Sequence, residues 1–396
     1  MFMLLSYKAK LFKKYILIKK MKMKNTILGL GIITIMITSA CNNTPKEQDK
    51  NTKTDEVNVD PTMSTFDVNN PGEWPVKFAD YGFTPETYAQ AESYSFMKDF
   101  IGRSGVNNFF HFKTLSKMED HWVVSPNNDV LYSLAIVDAT DDFTLIVPPV
   151  KGDRVMSVQM IDANHFTPKH FYGAGEYKFP KGTFNTPQIA VGIRVEVNGT
   201  DPKDITYVAN EVQPKMKIIA KSSKNHIPTI DTSNMVKLRK ALVPYYEKLP
   251  NSFGGMTKNA SEVKNEWFRQ LCTAGAWGLS ENEHAMYAIY APGLKADKAY
   301  TATYQVPPQK GFWSITMYDA DKYLVSNDRN IINKYNVKMN PDGKTFTVYF
   351  GSKEQCGDVP NRLDIVDGWN FLMRAYKADV EAFKKYEMPE VKEYKK

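Results

Sequence analysis

The stretch SPNNDVLYSLAIVDATDDFTLIVPPVKGDRVMSVQMIDANHF, Ser125–Phe166, has a second copy later in the chain: EHAMYAIYAPGLKADKAYTATYQVPPQKGFWSITMYDADKYL, Glu283–Leu324. Aligned on Tyr132 and Tyr287, both copies run through alternating residues into Val147-Pro148-Pro149 or Val306-Pro307-Pro308. Each then crosses a Lys-Gly pair and ends in Ser157-Val158-Gln159-Met160-Ile161-Asp162 or Ser314-Ile315-Thr316-Met317-Tyr318-Asp319. The offset is 155 at the tyrosines, 159 at the first prolines and 157 at the serines, so the copies differ by short loop insertions only. The alternation of small or polar with apolar residues is the period-2 signal of a half-buried strand. Prolines cannot donate to a β ladder, which assigns the Pro-Pro pair to an edge or connection. We read one β unit used twice.

Working outward, the intervening and flanking residues change period. Thr84-Pro85-Glu86 is a helix start, with a capping hydroxyl, proline at the first helical position and an acid in the first turn; Gly102 marks its end. Asp231 or Ser233 caps a second helix carrying Met235, Leu238, Leu242 and Tyr246, stopped by Pro250. Asn259 or Ser261 caps a third with Val263, Trp267, Leu271 and Cys272 at helical spacing. Asn340-Pro341-Asp342-Gly343 predicts a tight turn between strands at Tyr335–Met339 and Thr345–Phe350, and Trp369–Tyr376 reads as a late strand. The fold class is therefore α+β, mainly β: two sandwich- or jelly-roll-like β domains (75–225 and 281–396) with an intervening helical hairpin (226–280).

The net charge of +7 invites an anionic partner, but residues 1–40 hold eight lysines and no acid, and the remainder carries −1. No nucleic-acid partner is expected. The basic segment instead has the parts of a secretory signal: Lys22 and Lys24, the apolar run Thr26–Ile37, and small residues before Cys41, with translation expected to begin at Met21 or Met23. Ile37-Thr38-Ser39-Ala40-Cys41 resembles a bacterial lipobox, departing from it at Thr38. That resemblance implies a lipid on Cys41, a membrane as partner and an envelope location. The polar residues that follow, 41–74, read as a flexible tether. Cys272 and Cys356 remain, either free or paired.

The chain lacks a Gly-x-Ser-x-Gly elbow, a phosphate-binding loop and Cys-x-x-Cys spacing in its folded part, so serine-hydrolase, nucleotide and structural-zinc readings find no motif, and no cofactor is expected. Asn127-Asn128-Asp129 with Tyr132 is the strongest polar cluster. Its side chains either line a cleft, with Asp129 as general base, or form an Asx-type turn on their own backbone. His111, Arg154 and Asp162 join it if the strands pair as a sandwich. Arg154 then holds Asp162 or a ligand's acid group. Asp162, His165 and His170 are the one local set of metal-ligand types, although their spacing matches no known motif and loop histidines are usually solvated. Trp313, Tyr318, Tyr323 and Trp369 offer faces to a sugar or apolar ligand, or belong to the core.

Asn108-Phe109, His111, Pro126-Asn127-Asn128-Asp129, Leu131-Tyr132-Ser133, Asp138, Arg154 and Asp162 together resemble the domain of unknown function 1254. Gly311-Phe312-Trp313-Ser314-Ile315-Thr316-Met317-Tyr318-Asp319, Asn327, Asp342-Gly343 and Arg374-Ala375-Tyr376 resemble the domain of unknown function 1214. Val130 stands where the first family usually has threonine, and Asn361-Arg362-Leu363 replaces the second family's Asn-Trp-Leu-Pro. The resemblance implies β-rich domains in a bacterial envelope protein and no settled reaction. Two functions fit: a hydrolase acting on a sugar- or ester-containing envelope molecule, with Asp129, Tyr132 and His111 catalytic and Asn127, Asn128, Arg154, Asp162, Trp313 and Tyr318 binding substrate, or a non-catalytic module for a small molecule or glycan. The second copy sets Glu283 and His284 opposite Asn128 and Asp129, which puts any active site mainly on the first unit.

Overall fold

The computed structural model describes residues 66–120 and 124–396. The signal segment, Cys41 and most of the expected tether lie outside the described residues. The chain is mainly β, built as two sandwiches with helices against one of them.

The first sandwich holds β1 (Phe109–His111), β2 (Val130–Asp138), β3 (Phe143–Val147), β4 (Met156–Asp162), β5 (Lys169–Tyr172), β6 (Gly175–Phe179), β7 (Gln188–Glu196) and β8 (Lys217–Ala220). The second holds β9 (Ala285–Tyr290), β10 (Tyr300–Gln305), β11 (Trp313–Tyr318), β12 (Ile331–Asn333), β13 (Thr345–Phe350), β14 (Arg362–Leu363), β15 (Asn370–Tyr376) and β16 (Lys392–Glu393). The sheet orders are β1-β2-β7-β4-β5 over β6-β3-β8, and β9-β15-β11-β12 over β14-β13-β10-β16.

Strand for strand, these orders superpose. β2-β7-β4-β5 corresponds to β9-β15-β11-β12, and β6-β3-β8 to β13-β10-β16; only β1 and β14 are additions. The duplication thus extends well past the quoted stretch, to strands whose sequences have drifted beyond recognition. In each copy alternate residues fill the sandwich: Met156, Val158 and Met160 with Leu145 and Val191 in the first, Trp313, Ile315 and Met317 with Phe346 and Phe371 in the second.

The opposite faces of β4 and β11 are where the half-buried expectation needs correcting. Every residue of both strands is buried. Part of the outer face of the first sandwich is covered by helices: Met97 and Phe100 of α1 (Pro85–Ser104) pack on Ile136, Ile161 and Ala190. The rest of that face lies against the second sandwich, where Val130 meets Phe312 and Tyr376.

α1 starts as expected, with the Thr84 hydroxyl accepting from the Thr87 N–H and Thr87 returning the bond. It runs on to Ser104, two residues past Gly102. α2 (Thr232–Tyr246) is capped by Asp231. The third helix begins later than the sequence suggests: Asn259 caps only a single 3₁₀ turn, and α3 (Glu266–Gly275) is capped by Asn265, leaving Val263 outside. The three helices share a core with Trp74, which is fully buried against Trp267 and Phe78. The tether expected to reach residue 74 therefore ends earlier, because an indole with both faces packed is not part of a solvated linker.

The Asn340–Gly343 turn forms, with the Gly343 N–H donating to the Asn340 carbonyl at 2.9 Å. Its incoming arm is not a strand. The side chains of Asn333 and Asn336 capture the backbone N–H groups of Tyr335 and Asn333, an Asx-type alternative to the ladder that ends β12 early. Cys272 and Cys356 are free thiols, both buried.

Candidate functional site at the seam between the sandwiches

Because β2, β7 and β4 lie side by side, cross-strand register sets one residue from each in a row on the outer face: Tyr132, Arg194 and Ser157. The same register in the second sandwich gives Tyr287, Arg374 and Ser314. Each Tyr–Arg–Ser row sits at the seam, and the residue ahead of the opposite copy's first strand reaches across to it. These reaching residues are Asp129 and, in the aligned position, His284.

The Arg374 row is closed. Asp129 is 1% exposed; Ser314 Oγ donates to its Oδ2 at 2.5 Å and Asn333 Nδ2 to its Oδ1 at 3.0 Å. Arg374 donates to Thr316 Oγ1 at 3.1 Å and to the Ser125 carbonyl at 2.8 Å. Burial raises the Asp129 carboxyl to about 6, against the opposing pull of Ser314, Asn333 and the Arg374 charge. A carboxyl near neutrality is a feature of general bases. Here both oxygens are engaged and water is excluded, so the shift reflects desolvation.

The Arg194 row is built on the same plan with different occupants. Tyr172 pairs with Ser157 as Asn333 pairs with Ser314, and the Tyr172 hydroxyl meets His284 Nδ1 at 2.9 Å where Asn333 meets Asp129. His284 brings no carboxylate. Arg194 shares a hydrogen bond with Tyr132, yet its Nη1 is buried with no partner, and among the described residues it forms no ion pair. A cavity of about 10 Å³ opens here, lined among others by Ser157, His170, Arg194, Ser280 and His284. His170 stacks on His284 with ring centroids 3.7 Å apart, and its Nδ1 lies 3.1 Å from Glu281 Oε2. Burial, followed by the Arg194 charge, lowers His170 to about 3. Burial and then His170 lower His284 to about 4, and burial raises Glu281.

The other residues singled out in the sequence go to several places. Asn127 forms the Asx-type turn, its Oδ1 accepting from the Asp129 N–H at 2.7 Å, while its amide reaches the Tyr376 hydroxyl across the seam. Asn128 is buried beside them with Oδ1 unpartnered. His111 sits on β1 with Nδ1 2.8 Å from Ser133 Oγ. Arg154 pairs with Asp204 at 2.7 Å, not with Asp162, whose Oδ1 accepts from the Asn164 and Phe166 N–H groups. His165 is held by Thr273 and the Gly278 N–H, so Asp162, His165 and His170 point to different partners. Trp313 and Tyr318 are 3% and 0% exposed: one is core, the other donates to the Pro126 carbonyl, and neither presents a face to a ligand.

Sequence reasoning passed over Arg194 and Glu281. The signal for the first was an arginine inside the otherwise apolar run of Gln188–Glu196. Glu281 had none, because its partner His170 is 111 residues away.

Residues 106–220 match the family model described as protein of unknown function DUF1254, and residues 290–380 match the one described as protein of unknown function DUF1214. The chain carries both domains. The DUF1254 match thus holds the Arg194 row, and the DUF1214 match holds Arg374 and Ser314 of the other row. The VPA0106 protein from Vibrio parahaemolyticus shares the fold at 17% identity, with a TM-score of 0.62 over 78% of this chain and 98% of that one. A putative uncharacterized protein from Burkholderia cenocepacia aligns at 16% identity and a TM-score of 0.46, over 81% of this chain and 89% of that one. No curated protein matches the chain.

Proposed function

We propose that this protein is a binding module of the bacterial cell envelope, held to a membrane by a lipid on Cys41, which takes the anionic group of a small molecule at the Arg194 row. One observation carries the reading. Of two arginine rows built alike, Arg374 donates to Thr316 and the Ser125 carbonyl with the Asp129 charge nearby, whereas the other row has His284 in place of that acid and a buried Arg194 Nη1 without an acceptor. Leaving a buried charged donor unsatisfied costs roughly 1–3 kcal/mol or more, which a bound carboxylate or phosphate oxygen recovers. Ser157 and Ser280 line the same cavity, whose volume of about 10 Å³ is that of a single water, so a carboxylate or phosphate enters as the seam side chains move apart.

A hydrolase built on Asp129, Tyr132 and His111 finds less support. Asp129 is enclosed, and His111 bonds to Ser133 on the sheet's first strand pair.

The test is calorimetry and thermal denaturation of the full chain with acetate, succinate, glucuronate and inorganic phosphate, beside Arg194→Gln. Saturable binding that Arg194→Gln abolishes supports the reading and ranks the anion classes. No binding by any of the four, or equal binding by the variant, ends it. The anchor is tested separately: Cys41→Ser should move the protein out of the membrane fraction, and retention there would refute the lipid.

A further inference from the structure

Two neutral imidazoles and a carboxylate converge beside the cavity from separate parts of the chain. His170 lies on β5 of the first sandwich; Glu281 and His284 lie on the segment that leads into β9 of the second. One donor atom from each falls within 4.8 Å of the other two. Their side chains are 2%, 8% and 12% exposed.

We propose that His170, Glu281 and His284 form a binding site for a divalent transition-metal ion that clasps the two sandwiches at the seam. Tetrahedral ligands about 2.1 Å from a zinc ion lie about 3.4 Å from one another. His170 and Glu281 already meet that spacing at 3.1 Å. The His170 and His284 rings are stacked 3.7 Å apart, so binding requires them to turn out of the stack until both lone pairs meet at the ion.

Two further observations point the same way. Glu281 is 6% exposed, and its Oε1 is buried with no partner, a free acceptor that a cation satisfies. The Tyr172 hydroxyl on His284 Nδ1 is the outer hydrogen bond that fixes a ligating imidazole, and Nε2, 3.4 Å from Glu283 Oε1 in the metal-free chain, is the atom that takes the ion. A set of two nitrogens and one oxygen selects zinc, copper, nickel or iron over calcium and magnesium. Three protein ligands leave a fourth position open, and the cavity of about 10 Å³ has room for one water there. Arg194 is not a ligand, so the failure of anion binding would leave this inference standing.

The test uses the full chain without a polyhistidine tag, stripped with chelator and titrated with Zn²⁺ and Co²⁺. Binding of one ion per chain is expected, with a rise in Tm and the intense visible absorption of tetrahedral Co²⁺. Glu281→Gln and His284→Asn should each lose at least the 10- to 100-fold in affinity that removal of an outer-shell partner costs, their metal-free Tm serving as the folding control. If His284→Asn does not fold, Glu281→Gln, which keeps the side-chain shape, decides. The inference is overturned if wild-type protein binds neither ion at one per chain, or if folded variants bind as tightly as wild type.

Discussion

Replacing Asp129 with asparagine isolates the charge held at the closed row. The carboxyl titrates at about 6 in the folded chain against 3.8 for a free aspartate. At 1.36 kcal/mol per pKa unit, that gap corresponds to about 3 kcal/mol, and a carboxyl with 1% exposure is not discounted by solvent screening. The folded state holds the proton more tightly than the unfolded one, so between pH 3.8 and about 6 the native chain binds more protons. Stability is therefore lost as pH rises through that window; the penalty is absent below it and complete above it. Asparagine imitates the protonated group and carries no such penalty. Asp162, also raised to about 6 by burial, adds a slope of the same sign, so the quantity to follow is the difference between wild type and Asp129→Asn. Urea unfolding followed by tryptophan fluorescence, from just below pH 3.8 to just above 6, should show the wild type losing about 3 kcal/mol relative to the variant. Parallel curves would refute the reasoning, since they would mean that Arg374 and the two hydrogen bonds offset desolvation in full.

Three other perturbations have defined outcomes. His284→Asp gives the open row the residue its twin has, so Arg194 gains an internal counter-charge and the thermal shift with carboxylates or phosphate should vanish; a retained shift would place the anion elsewhere. Gly311→Ala sets a Cβ 2.7 Å from the Tyr376 carbonyl oxygen, so backbone at the seam must move, at about 1–3 kcal/mol in urea. Trp74→Ala should cost about 3–5 kcal/mol, because the indole is fully buried between Trp267 and Phe78; an unchanged urea midpoint would return this segment to the tether.

The duplicated fold was legible because period-2 alternation survives drift. Ser157 and Ser314 still mark one face, and their core neighbours the other. What alternation does not reveal is what covers the polar face. A half-buried strand and a strand whose small polar side meets a second domain have the same pattern, and only the arginines inside two apolar strands distinguish them. Local signals behaved the same way. Thr84 and the Asn340 turn act within a few residues and were readable, whereas the start of α3 turned on Asn259, Ser261 and Asn265, all competent caps within six residues of each other. The polar cluster at Asn127–Asp129 was visible, but its partners Ser314, Asn333 and Tyr376 lie some 185 to 249 residues away.

Duplication explains why one row can be closed and the other open in the same chain. Two sandwiches that meet through like faces bring two buried arginines to one seam, and each needs an acceptor if the contact is to hold. Thr316 and the Ser125 carbonyl meet that need for Arg374 from within the chain, and Asp129 adds a nearby negative charge at the desolvation cost that raises its pKa. At the aligned position the second copy has His284, and Asn333 is matched by Tyr172, while Ser157 keeps the place of Ser314, so the acid and one of its two hydrogen-bond donors have changed chemistry in the second row. Random loss of a counter-charge would leave the arginine facing apolar filler. Instead the exchanged residues are an imidazole and a phenol, joined by a second imidazole and by a buried carboxylate with a free oxygen. The polarity of the row has been kept while the acid at the Asp129 position has become an imidazole and the remaining carboxylate, Glu281, turns to His170, an arrangement that suits a site for an external ligand better than a merely structural contact.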